Sequence, residues 1–433
     1  MPFTKFMRCP MFRPNLLLTK DLDKNYIKKF ELLFSLLRFP DEPSKLKRRP
    51  PHPKYALLNA LIYKNLRSIP TLLELSREIK NYPQVAQICD FISFPSTERF
   101  SSFLNDTPNE LLQAVREDLV KKLIALGQIT GRYISADSCP IKANVKENNL
   151  KTTVANRFDK TRIPKGDPDA RLSAYVVFPD RKKVQFFWGY RNFILNDAVA
   201  ELPIAEITQP ANVYEQHLII PQLKHIKELF KLPIEAVLGD SAFDSYNIIE
   251  FIVKELVAKP VIAKNPRRSK DPNIKLSRKG IPICVAGFEM VSHGKFYDKE
   301  QNRMRHKFIC PIKASKKFAR KVGWFCPWNH PKFFSNRYGC TTNLRIDVDT
   351  SIRQNIDYGS QTFKKLYNLR SSAERIFSRL LSILMQRPST RGLNATRNLC
   401  TIAHITVLVV ALAAVKTGHK DKARFVKSFI PNL

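Results

Sequence analysis

Two short apolar runs in the sequence each end in an Asp-Ser pair. Tyr133–Ala136 precedes Asp137, and Ala236–Gly239 precedes Asp240. Short apolar runs of this kind predict buried strands, and each strand would deliver a carboxylate at its end. Strands that present carboxylates in this way confine the chain to a sheet-based fold with its chemistry at the strand ends.

A third carboxylate, Glu374, lies in a stretch with helical period. Arg370 precedes it by one turn and Tyr367 lies a turn earlier, so one helix would carry all three on a single stripe. The apolar positions of this helix are Phe363, Leu366, Ala373, Phe377, Leu380 and Leu384. A surface Arg–Glu pair explains this stretch alone. Two strand-end aspartates with a helix glutamate, however, form the ligand set of a two-metal phosphoryl-transfer site.

At these residues the chain resembles the DDE transposases of bacterial insertion sequences, in the branch with a β-rich insertion before the catalytic glutamate. The resemblance covers about residues 50–415. The family signature is Tyr, Arg three residues on, Glu four further and Lys seven beyond, and Tyr367, Arg370 and Glu374 match it.

The lysine position of the signature holds Leu381. Arg379 and Arg387 are candidate substitutes for its phosphate contact, although Arg379 lies well round the helix from Glu374. An apolar residue at this position predicts either that this part of the helix is buried or that a neighbour supplies the charge.

The resemblance implies an α/β fold with an RNase H-like, retroviral integrase-type catalytic core, a β-rich insertion and a helical N-terminal domain. It implies that Asp137 bridges two Mg²⁺ or Mn²⁺ ions, and that Asp240 and Glu374 each hold one. Asp244 is an alternative to Asp240, but it better fits a helix cap. The predicted DNA-binding residues are Tyr367, Arg370, Arg387 and Lys142.

The charge of the chain predicts a polyanionic partner. It has 73 Lys and Arg against 38 Asp and Glu, a net charge of +35 spread over many segments. Nucleic acid is the first choice of partner, and an anionic membrane surface is the second. By the resemblance, the nucleic acid would be transposon ends and target DNA, bound by a homodimer. Without a signal peptide pattern or a disulfide framework, we expect a cytoplasmic, nucleoid-associated protein. The uncharged run Leu399–Val415 is interpreted as a buried helix rather than a membrane span.

The chain divides by composition into segments with different expected roles. Thr71-Leu-Leu-Glu74 predicts a capped helix, and the short helices around it allow a helix-turn-helix or a packing domain without base contacts. The expected segments are a basic arm (1–50), a helical, DNA-binding N-terminal domain (51–128), the first part of the core (129–264), a basic β-rich insertion (265–350), the last part of the core (351–418) and a basic tail (419–433).

Within the core we expect strands at Gly131–Ala136, Ala198–Thr208 and Pro260–Ala263, and helices over 215–230 and from Ser245 to about Leu256.

The insertion contains a group of cysteines and histidines. They are Cys284, Cys310, Cys326, Cys340, His306 and His330. The close Cys-x-x-Cys pairs of zinc ribbons are absent, so we favour ordinary buried cysteines over structural zinc.

Two functions follow from these patterns. The first is an active DNA transposase that binds insertion-sequence ends and catalyses two-metal strand cleavage and strand transfer. The second is a catalytically impaired, transposase-derived DNA-binding protein or regulator, which Leu381 keeps open.

Overall fold

The structure is a computed structural model of the 433-residue chain. It describes residues 24–40, 52–176, 184–265, 275–277, 279–346, 352, 356–386 and 388–426. The chain forms two compact units, one of residues 1–240 with 368–433 and one of residues 241–367.

The helices are, in chain order, α1 Lys24–Ser35, α2 Lys54–Leu66, α3 Leu72–Asn81, α4 Pro83–Ile88, α5 Thr97–Asp106, α6 Asn109–Ala125, α7 Gln216–Phe230, α8 Tyr246–Lys254, α9 Pro311–Ala314, α10 Lys316–Val322, α11 Pro331–Ser335, α12 Gln361–Asn368, α13 Ser372–Ser382 and α14 Leu393–Lys416. The strands are β1 Tyr133–Lys142, β2 Arg171–Val176, β3 Val184–Asp197, β4 Leu202–Pro210, β5 Ala236–Gly239, β6 Lys259–Ile262, β7 Val291–Asp298, β8 Arg303–Ile309 and β9 Thr341–Arg345.

The N-terminal helices of the first unit pack on α14, which contacts α2, α5 and α6. The predicted cap of α3 is confirmed, because the Thr71 hydroxyl accepts a hydrogen bond from the Glu74 amide at 3.1 Å and Glu74 accepts one from the Thr71 amide at 3.2 Å. These two bonds satisfy amides that the first helical turn leaves without partners. Because they pack on α14, these helices belong to the same unit as the sheet that follows.

The sheet of the first unit is built around β1. This strand pairs antiparallel with β3 and parallel with β5, and β3 in turn pairs antiparallel with β2 and β4. At Gly189 on β3, an added Cβ would collide with the Ile141 carbonyl oxygen. Close strand packing here therefore requires glycine.

Two strand boundaries differ from the prediction. β1 does not end at Ala136 but continues to Lys142, because the residues after Asp137 pair with β3. β4 begins at Leu202 rather than Ala198, because residues 198–201 form a turn. The Asp197 carboxylate holds this turn by accepting hydrogen bonds from the amides of Val199 and Ala200 at 2.9 and 2.8 Å.

The predicted signature helix is also interrupted. A 3₁₀ turn, Leu369–Ser371, separates α12 from α13. The helix ends at Ser382, so Leu384, with a φ of 68°, lies beyond it.

The long apolar helix α14 is buried, as the sequence predicts. In the described part of the chain it alone is long and apolar enough to cross a membrane, and 94% of its most apolar window is buried inside the protein. Its His404 is fully buried, with Nε2 2.9 Å from Asn192 Oδ1 on β3. Burial, with a smaller effect of Arg116, lowers the pKa of His404 to about 3.

The second unit contains α8, β6 and a separate three-stranded antiparallel sheet in the order β7-β8-β9. The short helices α9, α10 and α11 lie between β8 and β9 in the chain. The expected core elements here are found with shifted ends: α8 begins one residue after Ser245, and β6 ends at Ile262.

Candidate active site

The parallel register of β1 and β5 brings Asp137 and Asp240 side by side. The pairing of the two strands runs as far as Ser135 with Leu238, and Asp137 and Asp240 each follow two residues further on. The two carboxylates are close enough for Asp240 to raise the pKa of Asp137. Neighbouring strands lie about 4.8 Å apart, and residues in register share a face of the sheet. Asp137 therefore lies inside its strand, but at the point where the partner strand ends.

The helix that carries Glu374 is anchored at its start to β1 and β3. Ser135 lies on β1, two residues before Asp137. Its hydroxyl donates a hydrogen bond to the Arg370 carbonyl at 3.2 Å. The buried Asn196 side chain on β3 donates to the Ser372 hydroxyl at 2.9 Å. These contacts fix the start of α13 beside the two aspartates.

Arg370 links two of the three predicted carboxylates. Its guanidinium donates to Glu374 Oε1 at 2.9 Å and lies 3.9 Å from Asp137 Oδ2. The Glu374 side chain is 58% exposed, whereas those of Arg370 and Asp137 are 22% and 21% exposed. A cation thus already lies between two carboxylates that would otherwise repel each other.

A fourth carboxylate, Glu215, adjoins this group and was not predicted from the sequence. It stands directly before α7, and Glu215 Oε2 accepts a hydrogen bond from the Ser138 hydroxyl at 2.5 Å. The Arg191 guanidinium on β3 lies 3.8 Å from Glu215 Oε1 and donates to Ser138 Oγ at 3.3 Å. The sequence signal was weak, because an acidic residue at a helix start is common for dipole reasons alone.

The protonation of this group reflects burial and charge together. Burial raises the pKa of Asp137 to about 7, with additional increases from Asp240 and Glu215, while the Ser138 amide and Arg370 act in the opposite direction. Burial, and to a smaller degree Asp240, also raises the pKa of Glu215. The charge of Asp240 contributes to both pKa shifts, after the larger effect of burial.

The donor chemistry of this group fits a hard divalent cation. Carboxylate oxygens are the ligands that Mg²⁺ and Mn²⁺ prefer, and such an ion would offset the burial and the smaller mutual repulsion that raise the pKa values of Asp137 and Glu215. In the described residues, no three acidic, His or Cys side chains are already arranged to hold an ion. Glu374 would have to turn away from Arg370 to join the aspartates.

The other predicted site residues occupy varied positions. The Lys142 amide at the end of β1 donates to the Gln386 carbonyl at 3.0 Å, and its ammonium lies 5.4 Å from the centre of the Tyr175 ring. Tyr367 stacks on Phe363 with ring centroids 5.9 Å apart.

Asp244, the alternative to Asp240, is buried and accepts a hydrogen bond from the Asn265 amide at 2.8 Å. That contact gives Asp244 a structural role within the second unit.

Leu381 occupies the lysine position of the signature, and Arg379 and Arg387 are the two candidate substitutes for that lysine. Leu381 is 38% exposed, so the expectation that this part of the helix is buried was wrong. Arg379 donates to the carbonyl of Glu201 at 2.7 Å and lies 3.3 Å from its carboxylate, which holds it away from Glu374. Arg387 lies outside the described residues.

Residues 158–409 match the family model described as the transposase DDE domain, which is more than half of the chain. The chain belongs to the DDE transposases. The matched part of the transposase contains Asp240 and Glu374, whereas Asp137 lies before it. As a DDE transposase, the protein is an enzyme of DNA transposition with a mixed α/β fold.

Comparison with solved structures returns a piggyBac transposase synaptic complex with hairpin DNA, determined by cryo-EM. Its identity to this transposase is 13% and its TM-score is 0.37, over 94% of this chain and 80% of that one. A TM-score this low supports no conclusion about the transposase. Comparison with curated protein sequences finds no match.

Proposed function

We propose that this transposase binds the ends of an insertion sequence and cleaves and rejoins DNA with two divalent metal ions. The observation that carries the proposal is the β1–β5 register, which sets Asp137 beside Asp240 next to the anchored start of the Glu374 helix. Asp137 and Glu374 both lie against Arg370, and Asp240 is near enough to Asp137 to raise its pKa. Carboxylates gathered in this way support metal-dependent phosphoryl transfer.

We infer that the catalytic core is RNase H-like. Support comes from the strand arrangement of the first unit. β3 pairs antiparallel with both β1 and β4. After helix α7 the chain forms β5, which pairs parallel with β1. In this arrangement the first and the parallel strand carry the aspartates. The proposed ligands Asp137 and Asp240 therefore come after the paired part of those two strands.

In the proposed mechanism, Asp137, Asp240 and Glu374 are the residues that would hold the divalent ions. Mg²⁺ or Mn²⁺ bound there would supply activation of the attacking water or 3′-hydroxyl and stabilisation of the leaving oxygen. If Glu374 were to bind an ion, its 2.9 Å hydrogen bond with Arg370 would be replaced, and the Arg370 guanidinium could then contact a DNA phosphate. Ser138 fixes Asp137 through its amide at 2.8 Å.

DNA binding is proposed from the charge of +35 and from basic residues near the carboxylates. Lys142, Tyr367 and Arg387 are proposed to contact DNA together with Arg370. We propose that residues 51–128 recognise the ends, and that the protein acts on DNA as a homodimer in the cytoplasm, associated with the nucleoid.

A second candidate function is a DNA-binding protein of this family with impaired strand transfer. It is favoured by the exposed Leu381 at the position where the resembled signature has lysine. An exposed leucine cannot bind a phosphate, whereas the carboxylates would still bind metal.

The experiment uses the full chain and a duplex that carries the DNA flanking its gene. Asp137→Asn, Asp240→Asn and Glu374→Gln should each abolish Mg²⁺-dependent cleavage while leaving DNA affinity within about twofold. The exposed Asp106→Asn at the end of α5 is the matched control and should cleave normally.

Three outcomes separate the candidates. Normal cleavage by Asp240→Asn would refute the assigned site and shift attention to Asp244. Cleavage without strand transfer in the wild type would favour the impaired protein. Tight end binding with neither reaction in Mg²⁺ or Mn²⁺ would leave a regulator.

A further inference from the structure

The second unit brings four cysteines together from four separate segments. One begins a turn, one precedes α9, one follows α10 and one precedes β9. These residues, called the cysteine cluster below, are Cys284, Cys310, Cys326 and Cys340. All four are reduced thiols.

Three of the four segments meet in one small core. Cys310 and Cys326 are both buried in a cluster with Ile312, Ala319 and Phe333. The turn that begins at Cys284 packs against the same cluster through two partly buried side chains, which are Ala286 and Phe288.

The fourth segment passes directly against Cys310. A Cβ added to Gly339 would lie 2.7 Å from the Cys310 Cβ and 3.4 Å from its sulfur. The Cys310 amide also donates to the Tyr338 carbonyl at 3.2 Å. Cys340 follows Gly339 immediately, so its thiol is brought to the same place as the other three.

Electrostatics support this convergence. Burial raises the pKa of the Cys340 thiol to about 11, and Cys310, Cys326 and Cys284 raise it further. Such mutual effects require that the thiols lie near one another.

Two of the segments share one backbone conformation. The third residue after Cys284 is Gly287, with φ of 83°, and the third after Cys326 is Asn329, with φ of 47°. In each turn the amide of that residue donates to the cysteine carbonyl at 2.9 Å. Cys284 and Cys326 thus each begin a turn that is closed by a hydrogen bond to the cysteine carbonyl.

The neighbouring histidines are engaged elsewhere. His330 caps α11 by accepting from the Lys332 amide at 3.2 Å, and the Nε2 of His306 lies 2.7 Å from the Ser292 hydroxyl. Neither His306 nor His330 is therefore assigned to the cysteine cluster.

We propose that the cysteine cluster binds one structural Zn²⁺ in a closed, four-thiolate site. Structural Zn²⁺ sites hold the ion with four such ligands in a tetrahedron. The thiols are not yet arranged to hold an ion, so the side chains must rotate towards a common centre. Binding releases the thiol protons to solvent. The Cys-x-x-Cys pairs are missing because the ligands come from four segments instead of two.

The proposal does not rest on the catalytic assignment, and the test needs no activity assay. The full chain is purified without added metal, and its zinc content is measured by inductively coupled plasma mass spectrometry. We expect one zinc per chain. Exchange with Co²⁺ should produce the intense visible absorption of tetrahedral thiolate coordination.

Variants then assign the ligands. Cys310→Ser and Cys326→Ser should lose the zinc, whereas Cys326→His should retain it, because histidine is also a zinc ligand. The matched control is Cys89→Ser, a buried cysteine in the first unit, which should keep the full zinc content.

Wild-type protein with no bound zinc and no cobalt spectrum would overturn the proposal. So would two disulfides within the cysteine cluster, or thiols that react with a thiol reagent equally fast with and without a chelator. These wild-type measurements decide the question even if the serine variants do not fold.

Discussion

Asp137→Asn should stabilise the metal-free protein at pH 8 while abolishing DNA cleavage. The reason is that Asp137 is held in a site that disfavours its charge, through burial and through the charges of Asp240 and Glu215. Asparagine has the same shape and no charge, and its carbonyl oxygen can still accept the bond from the Ser138 amide. The variant therefore removes the electrostatic cost and retains most of the packing.

The magnitude follows from the pKa of Asp137, which is raised from an ordinary 3.8 to about 7. Below 3.8, both the folded and the unfolded states bind the proton, and there is no cost. Between these values only the unfolded state loses it, so stability falls as the pH rises, and the full cost is reached above 7. A shift of about three units corresponds to at most ~4 kcal/mol, reduced by the partial exposure of the carboxylate.

The assay is urea denaturation in EDTA from pH 5 to pH 8, followed by tryptophan fluorescence. The gain in the free energy of unfolding from Asp137→Asn should grow with pH, and Mg²⁺ should stabilise the wild type but not the variant. The exposed Asp106→Asn control should change stability by less than ~0.5 kcal/mol at every pH. A variant less stable than the wild type at pH 8, or a difference that does not vary with pH, would refute the reasoning.

Four further outcomes are expected. Glu215→Gln should raise the Mg²⁺ concentration needed for half-maximal cleavage about 10- to 100-fold in a metal titration. The reason is that Glu215 orients Ser138, whose amide holds Asp137. Glu201→Ala should lower the free energy of unfolding by about 3 kcal/mol in urea titrations, because it leaves the largely buried Arg379 without its carboxylate. Leu381→Lys should strengthen end binding by about 1 kcal/mol in gel-shift assays without destabilising the fold, since the side chain is exposed. DNA affinity should fall by orders of magnitude between about 50 and 200 mM salt, and a flat binding curve would remove the inference from charge.

The sequence by itself indicated which residues would form the candidate site. Apolar runs that end in Asp-Ser and a helix with Arg370 and Glu374 predicted two strands and a helix, and both strands are present. The buried helix α14 and the capped helix α3 were also predictable, because hydrophobic period and capping residues are local properties.

Tertiary structure decided where the strands end. β1 continues past Asp137 because β3 supplies pairing partners as far as Lys142, and no local signal in the sequence reports the length of a distant partner. The same limitation hid the turn at 198–201, which depends on the Asp197 side chain.

Tertiary structure also decided which residues meet. Glu215 comes beside Asp137 only because α7 begins next to the sheet, and the four cysteines meet only because separate turns and helices share one core. Composition and spacing record which chemical groups a chain carries. Their proximity depends on contacts between residues far apart in the chain, and local periodicity does not encode such contacts.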